Sequence, residues 1–370
     1  MSLVFIGMGL MAFLSASMLA IDVGMLMTAR NQAQNSADAG ALAGATALLY
    51  DDFKDRTPGG PAVTSAINAG IANEVMSESV AVAPGDVQFL TDPAGRSNRV
   101  RVTVRRTAQR GNPVSTLVAQ FFGMNTADIM AAATAEVSPA NAMTCVKPFT
   151  IPDRWIENQT PPWDPTDSFD LYDSKGKPLA NPDVYIPATS TSYSGYNAER
   201  DKGTIVTLKA DNDSKIYPSI YYPWAPPGNS GGSDYRWNIE NCNQSIMAFG
   251  EMLTPEPGNM VGPTKSGIEA LIAKDPYAYW DTANNRVVST MHPSPRVAII
   301  PLFDPDFYET GKHSGRKADL RAVNYLGFFI VGMKGNEVVG RVTPVGGLRR
   351  GSGFGEAPVG AFPQVIRLVQ

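Results

Sequence analysis

Residues 228–232 (GNSGG) match the pattern G-x-S-x-G around Ser230. In hydrolases this pattern presents a nucleophilic serine on a turn between a strand and a helix, but neither element is predicted around this stretch. In one common order of the catalytic triad a histidine precedes the serine, whereas His292 and His313 both follow it. We therefore interpret the segment as a glycine-rich surface loop, and a tethered hydrolase acting through Ser230 is the least favoured alternative.

Residues 262–266 (GPTKS) are similar to a phosphate-binding loop but lack one essential residue. That motif requires glycine directly before Lys-Ser, and Thr264 occupies the position here. The segment instead predicts the start of a helix, with Thr264 as its N-cap.

Several aspartates could supply hard oxygen ligands to calcium. They fall in two groups, and neither group completes a calcium-binding loop. Because aspartate is also common in turns, we predict that these residues stabilise turns, with calcium binding as the alternative. No paired Cys/His metal motif and no dinucleotide fingerprint is present, and we predict no catalytic residue, metal site or cofactor. The aspartates are Asp164, Asp167, Asp170, Asp173, Asp211 and Asp213.

The chain has two cysteines, Cys145 and Cys242. Two cysteines and two distant histidines are too few for a comfortable metal site. We predict one disulfide formed outside the cytoplasm, with two buried free thiols as the alternative.

The first fifty residues decide whether the rest of the chain is attached to a membrane or a filament. Residues 1–21 contain no charged side chain, and Asp22 is the only one before Arg30. A helix over residues 1–29 would be about 43 Å long, which is enough to cross a bilayer. We predict a transmembrane or pilin-like helix that continues to Leu49, with Asp22 reaching the membrane boundary or, alternatively, a partner.

Small residues recur at every fourth position of this helix. Residues four apart share a helix face, and small residues let a second helix approach closely. We interpret this small-residue stripe as a packing seam, with the helix propensity of alanine as the alternative. Its members are Ala12, Ala16, Ala20, Gly24, Ala29, Ala33, Ala37, Ala41 and Ala45.

The next segment, residues 51–140, predicts a small α/β sandwich. Residues 99–105 alternate valine with polar residues, mostly arginine, which predicts a half-buried strand with a solvated basic face. Helices are predicted over residues 61–78 and 113–124, and further strands over 87–90 and 127–137.

Residues 141–345 predict a β-rich, loop-heavy body, followed by a glycine-rich tail over 346–370. Glycine (34) and proline (29) fall mainly after residue 140. The fold class is therefore α+β: a long helix over residues 1–50, the small α/β domain and then this body. Strands are predicted over residues 184–186, 204–209, 296–303, 323–333 and 337–342, and a helix over 265–274.

Residues 19–48 resemble the N-terminal segment of the TadE/TadG-like family of Flp (Tad) pilus assembly proteins. The family shows an apolar helix ending in Asp-x-Gly, then Arg and Gln, then a small-residue run containing Ala-Asp-Ala. The matching residues are Asp22, Gly24, Arg30, Gln34, Asp38 and Gly44. Related type IV pilins keep a glutamate at the fifth mature position, where this chain has Phe5.

The resemblance implies a non-enzymatic component of a secreted pilus, anchored in the inner membrane or packed in a filament, with its body outside the cytoplasm. Its expected partners are other pilus subunits or copies of itself, and the membrane. The net charge of −4 does not favour nucleic acid. The main subunit of an extracellular filament is the first alternative. We also expect a leader removed just before residue 1.

Overall fold

The computed structural model describes residues 2–210, 215–291, 293–314, 319–351 and 353–369; of the first helix, the side chains of residues 2–4, 12 and 14–18 are outside the description. The chain divides into two compact units. Unit 1 comprises Met1–Ser138 with Ile366–Gln370, and unit 2 comprises Pro139–Val365. The predicted α+β class is confirmed, whereas the division into four segments remains a prediction.

Unit 1 contains one long helix, one short helix and a sheet. The N-terminal helix begins at Ser2 and ends at Tyr50, as predicted, because this stretch contains no proline and is rich in alanine. The elements are α1 (Ser2–Tyr50), α2 (Pro61–Ile71), β1 (Glu74–Val75), β2 (Glu78–Ser79), β3 (Val87–Leu90), β4 (Arg99–Arg106), β5 (Val114–Ser115), β6 (Thr126–Ala127) and β7 (Ile129–Pro139).

The sheet of unit 1 has four strands, and one of its two edge strands comes from the C-terminal part of the chain. Its order is β19 (Gln364–Val369), β7, β4 and β3. In β4, Val100, Val102 and Val104 are fully buried and lie opposite alanines of β7. The predicted strands at β3 and β4 are confirmed, whereas no strand was predicted for β19.

The helix predicted over residues 61–78 is shorter than expected. It ends at Ile71 rather than at residue 78, and a two-stranded hairpin of β1 and β2 follows. Met76 and Ser77 at the turn have positive φ angles, which a helix does not accommodate.

Unit 2 is built around a small closed barrel of five strands. Its elements are β8 (Ala142–Met143), β9 (Phe149–Pro152), α3 (Ala198–Asp201), β10 (Ile205–Leu208), β11 (Tyr222–Ala225), α4 (Gly231–Glu240), β12 (Met247–Ala248), β13 (Met252–Pro255), α5 (Val261–Lys274), β14 (Tyr279–Asp281), β15 (Arg286–Val288), β16 (Val297–Phe303), α6 (Pro305–His313), β17 (Leu320–Lys334) and β18 (Glu337–Val342). The barrel order is β17-β13-β11-β9-β16, and pairing of β16 with β17 closes it.

The barrel core explains why the apolar stretches of this half form strands. The side chains of Phe149, Trp224, Ile300 and Tyr325, from four barrel strands, are almost completely buried. The predicted strands at β16, β17 and β18 are confirmed. At residues 184–186 the structure has only an isolated bridge between Ile156 and Val184, so the strand predicted there is wrong.

Candidate interaction surface around the N-terminal helix

The second half of the small-residue stripe is buried inside unit 1. Each member of this half is at most 1% exposed. A Cβ atom on Gly40 would lie 2.9 Å from the carbonyl oxygen of Ala66 in α2, and one on Gly44 would lie 2.9 Å from Val100 Cγ1 in β4. Small residues are therefore needed here because α1 packs closely against α2 and β4 of its own chain. The members are Ala29, Ala33, Ala37, Ala41 and Ala45.

The first half of the stripe belongs to a different environment. Ala20 and Gly24 are exposed, and a Cβ atom on Gly24 would meet no atom within 4 Å. The side chains of Ala12 and Ala16 lie outside the described residues. At 3.6 residues per turn, the exposed apolar residues around this half point to all sides of the helix. They are Phe5, Ile6, Met8, Leu10, Met11, Phe13, Leu19, Ile21, Val23 and Met27.

Asp22 marks the boundary between the two environments. Its side chain is only 3% exposed, and its carboxylate accepts hydrogen bonds from the backbone N–H groups of Leu117 (2.8 Å), Val118 (3.0 Å) and Ala119 (2.6 Å). Burial alone would raise the pKa of Asp22, but these hydrogen bonds outweigh it and lower the pKa. Asp22 therefore has its binding partner within its own unit. Its place at a membrane boundary stays a prediction.

The loop that Asp22 holds is the tip of a hairpin. Strands β5 and β6 pair, and Thr116 continues the ladder through its N–H to Asn125 O (3.1 Å). At the tip, residues 119–122 form one 3₁₀ turn, so the helix predicted over 113–124 is wrong. Four apolar side chains of the tip are exposed: Leu117, Phe121 (81%), Phe122 (71%) and Met124. We call these four residues the apolar tip.

Arg106 supports the same hairpin from its base. It is buried, and its guanidinium donates to the carbonyl oxygens of Asn112 (2.6 Å) and Pro113 (3.2 Å). It also forms an ion pair with Glu78. Arg106 directly follows the alternating residues 99–105 and lies on the side of the valines, where the hairpin covers the end of β4. Arg101 of the same strand is exposed as predicted.

The other residues of the family motif occupy varied positions on α1. Arg30 is exposed. The Gln34 side-chain amide donates to Asp38 Oδ1 (2.8 Å) and to the carbonyl oxygen of Ala132 (3.3 Å). Gly44 lies in the close contact described above. The motif thus contributes to the packing of α1 against its own unit.

Ser230 lies closer to regular structure than the sequence indicated. Strand β11 ends at Ala225, and α4 begins at Gly231 with Ser230 as its N-cap, so the expectation of no neighbouring strand or helix is wrong. Helix α4 was missed because its sequence is mostly polar. Ser230 nevertheless has φ −160°, an extended conformation, so the strained turn of a nucleophile elbow is not formed. His313 stacks on Tyr172, and His292 lies outside the described residues.

The lysine and serine of the GPTKS segment lie within α5. This helix begins at Val261 with Met260 as its N-cap, so the predicted N-cap at Thr264 is wrong. Thr264 is buried, and its hydroxyl lies 3.2 Å from that of Tyr235. Its hydroxyl is therefore engaged in packing α5 against α4.

The spaced aspartates stabilise turns. Asp173 accepts N–H groups of Lys175 and Lys177 (2.8 and 2.9 Å), and Asp164 accepts that of Thr166 (2.6 Å). Among the described residues, no three His, Cys, Asp or Glu side chains stand close enough to hold a metal ion. Asp211 and Asp213 lie outside the described residues.

Cys145 and Cys242 form a disulfide in unit 2. Nearby, the buried Lys147 donates to the carbonyl oxygens of Ile239 (2.6 Å) and Asn241 (3.0 Å) at the end of α4. Burial lowers the pKa of Lys147 to about 7. A covalent bond and a buried ammonium donor therefore tie the same two segments together.

Asp153 is a fully buried carboxyl group beside the barrel. It accepts hydrogen bonds from the backbone N–H groups of Arg154 and Tyr196 (both 2.9 Å) and from the Tyr185 hydroxyl (3.0 Å). Burial raises the pKa of Asp153 to about 7, although these hydrogen bonds act in the opposite direction. The folded unit therefore holds a proton that the unfolded chain has already released.

This raised pKa predicts a pH-dependent stability. Between the unfolded pKa of 3.8 and the folded pKa of about 7, the folded state binds more protons, so the free energy of unfolding falls as pH rises, by at most about 1.4 kcal/mol per pH unit. We expect Asp153→Asn to remove this slope, since the amide oxygen can accept the two backbone N–H groups and the amide N–H can donate to the Tyr185 oxygen, without titrating. Denaturant unfolding of parent and variant at several pH values measures the difference. Parallel profiles would contradict the assignment.

These features define a class of protein in which a long helix, apolar and exposed in its first half, is packed in its second half onto a small α/β unit. Residues 1–47 match the family model described as putative Flp pilus-assembly TadE/G-like, so the resemblance seen in the sequence is confirmed over that segment. The match supports a Flp/Tad pilus-associated role at the cell envelope or surface. No curated protein and no solved structure matches the chain.

The structure does not support the predicted transmembrane helix. Among the described residues, none of the helices carries an apolar stretch long enough to cross a bilayer. Ten residues of the predicted apolar run (1–4, 12 and 14–18) have side chains outside the description.

Proposed function

We propose that this chain is a non-enzymatic structural or assembly component of a Flp/Tad-type pilus, held at the cell envelope or packed among other subunits through the first half of α1. The observation that carries the proposal is the contrast within α1. The stripe members between residues 29 and 45 are buried by their own unit, whereas Ala20, Gly24 and the apolar residues around them face outward. The family match over residues 1–47 supports the same role.

The physical argument is that an all-round apolar helix is not stable facing water. Apolar surface removed from water contributes about 25 cal/mol per Å², and large exposed apolar patches mark interaction sites. In this proposal the surroundings of α1 are other pilus subunits, copies of this chain or lipid. The β-rich unit 2, with its disulfide, is then the part of the protein that lies outside the cytoplasm.

Ala20→Leu tests the role of the exposed half of the stripe. Ala20 is exposed in the single chain, so leucine adds no clash within it, whereas a neighbouring helix in the pilus would be held away. We expect pili to be lost or strongly reduced in cells carrying this variant, counted by electron microscopy, with the purified chain still folded by circular dichroism.

The matched control for this experiment is Ala94→Leu. Ala94 is also exposed but lies in the turn between β3 and β4, away from α1. We expect normal pili in this control. Normal pili in the Ala20→Leu strain as well would contradict the proposed packing through this face.

The alternative is that this chain is the main subunit of the filament. The two roles differ in stoichiometry, since a main subunit is the dominant band of purified pili and an assembly component is a trace band or stays with the cell envelope. Quantitative mass spectrometry of sheared pili and of the remaining cells distinguishes them.

A further inference from the structure

We propose that the apolar tip is a lipid-binding loop that inserts into the interfacial region of a bilayer beside α1. This inference deepens the proposed function, since it rests on a place for the chain at the cell envelope. It assigns a partner to a hairpin that lies outside the matched residues 1–47.

The first argument is the absence of charge. Between Arg110 and Asp128 the chain contains no charged residue, and the adjoining α1 contains none before Asp22. Two strongly exposed aromatic side chains, Phe121 and Phe122, stand in the middle of this segment. Phenylalanine and leucine are typical of the face that a protein buries at a membrane surface.

The second argument is that the backbone of the tip is already hydrogen-bonded. Polar backbone groups are costly to place in lipid unless they are satisfied internally. The N–H groups of Leu117, Val118 and Ala119 donate to Asp22. Those of Phe121 and of Gly123 and Met124 donate to carbonyl oxygens of the same turn. The tip can therefore leave water without losing these bonds.

The third argument is that two buried charged side chains bind the backbone of the hairpin and keep its apolar side chains exposed. Asp22 binds its beginning, and Arg106 binds the base of the hairpin at Asn112 and Pro113. A loop with four large apolar side chains would ordinarily fold them inward. Here the anchors fix the backbone, so the side chains stay exposed next to α1.

Lipid fits this surface better than a protein does. The exposed apolar residues of α1 near Asp22 point to several sides, which a fluid bilayer covers without shape complementarity. Arg30, exposed on α1, lies eight residues beyond Asp22, or about 12 Å along the helix. That distance places its guanidinium near the phosphate layer when the tip reaches the acyl chains, and anionic headgroups attract such a charge.

The test uses a tryptophan placed in the tip. All five native tryptophans lie in unit 2, at positions 155, 163, 224, 237 and 280, so Phe121→Trp adds the first tryptophan to unit 1. The full chain is mixed with phosphatidylcholine vesicles carrying brominated acyl chains, with and without phosphatidylglycerol. The parent chain provides the background, and Ala94→Trp, at the other end of β4, provides the matched control.

We expect the added fluorescence of Phe121→Trp to shift to the blue and to be quenched several-fold more than that of Ala94→Trp, and more strongly with phosphatidylglycerol present. Asp22→Ala in the same background should reduce this quenching, because the tip loses its anchor. Circular dichroism confirms that each variant is folded.

Two results would overturn the inference. Equal quenching at positions 121 and 94 would mean that the tip does not reach lipid. A blue shift that depends on protein concentration, without quenching by brominated lipid, would mean that the tip contacts a second copy. Pilus counts are measured separately in cells, so the two proposals can fail independently. Absence of lipid contact with an effect of Ala20→Leu on pili would contradict only this inference. Lipid contact with normal pili in the Ala20→Leu strain would contradict only the proposed function.

Discussion

Removal of the disulfide is expected to lower the free energy of unfolding of unit 2 by about 4–5 kcal/mol. Cys145 and Cys242 are 97 residues apart in sequence, and a cross-link over a loop of that length restricts the unfolded chain by an amount of this order. Since a folded domain is stable by only about 5–15 kcal/mol, this loss brings unit 2 close to unfolding.

The double variant Cys145→Ser with Cys242→Ser measures the effect. Tryptophan fluorescence during denaturant unfolding reports unit 2 alone, because all five tryptophans lie there. Serine is tolerated in the folded state because neither cysteine is fully buried. We expect the midpoint to fall strongly and the slope to rise, because the unfolded chain without the cross-link is less compact and exposes more surface.

Reduction provides the internal control for the disulfide. A reducing agent should lower the midpoint of the parent chain to that of the double variant and leave the double variant unchanged. The contacts of Lys147 with the end of α4 remain after reduction, so the local structure is expected to persist. Unchanged stability of the parent, with both thiols shown to be free, would contradict the prediction.

The elements that could be predicted from the sequence are those whose burial follows a local pattern. In β4, alternate valines face α1 and α2, so the two-residue period was readable. Helix α1 was predictable as far as Tyr50 because nothing in it interrupts a helix. The long strand β17 was readable as a continuous apolar run, since the barrel core buries most of its length.

The candidate surface could not be predicted because its contacts join distant parts of the chain. The hairpin tip has Pro113 before it and Gly123 near its end, so it was predicted to be a helix. The N–H groups of residues 117–119, which in a helix would donate to carbonyl oxygens four residues earlier, instead bind Asp22, which lies 95 residues before Leu117. The alternation of β4 places Arg106 on the valine side, but it carries no information about the carbonyl oxygen of Asn112 that this arginine binds.

The small-residue stripe shows the same limit within one element. Its four-residue spacing predicted one packing surface along α1, but the structure divides it between an inner and an outer half. The inner half faces α2 and β4, and the outer half is exposed. Spacing alone carries no information on whether the neighbouring surface comes from the same chain or from another one.

Ala37→Leu is expected to destabilise unit 1 by about 1–3 kcal/mol or more, the usual cost of overpacking a filled core. Ala37 is fully buried, and three residues further along the same face Gly40 leaves only 2.9 Å between its Cβ position and a backbone carbonyl oxygen of α2. A leucine must therefore push α1 and α2 apart. Hydrogen exchange of the α1 amides measures this loss, and the tryptophan signal of unit 2, which contains all five tryptophans, serves as the control.

Ala20→Leu is the matched comparison, because it is the same substitution in the same stripe at an exposed position. We expect its amide protection in unit 1 to equal that of the parent chain, whereas Ala37→Leu loses protection throughout α1 residues 29–48. Both variants are expected to lose pili, the first through blocked contacts between helices and the second through a damaged unit 1. Full protection in Ala37→Leu would mean that α1 packs less tightly on α2 than these distances require, and its effect on pili would then have to arise between subunits.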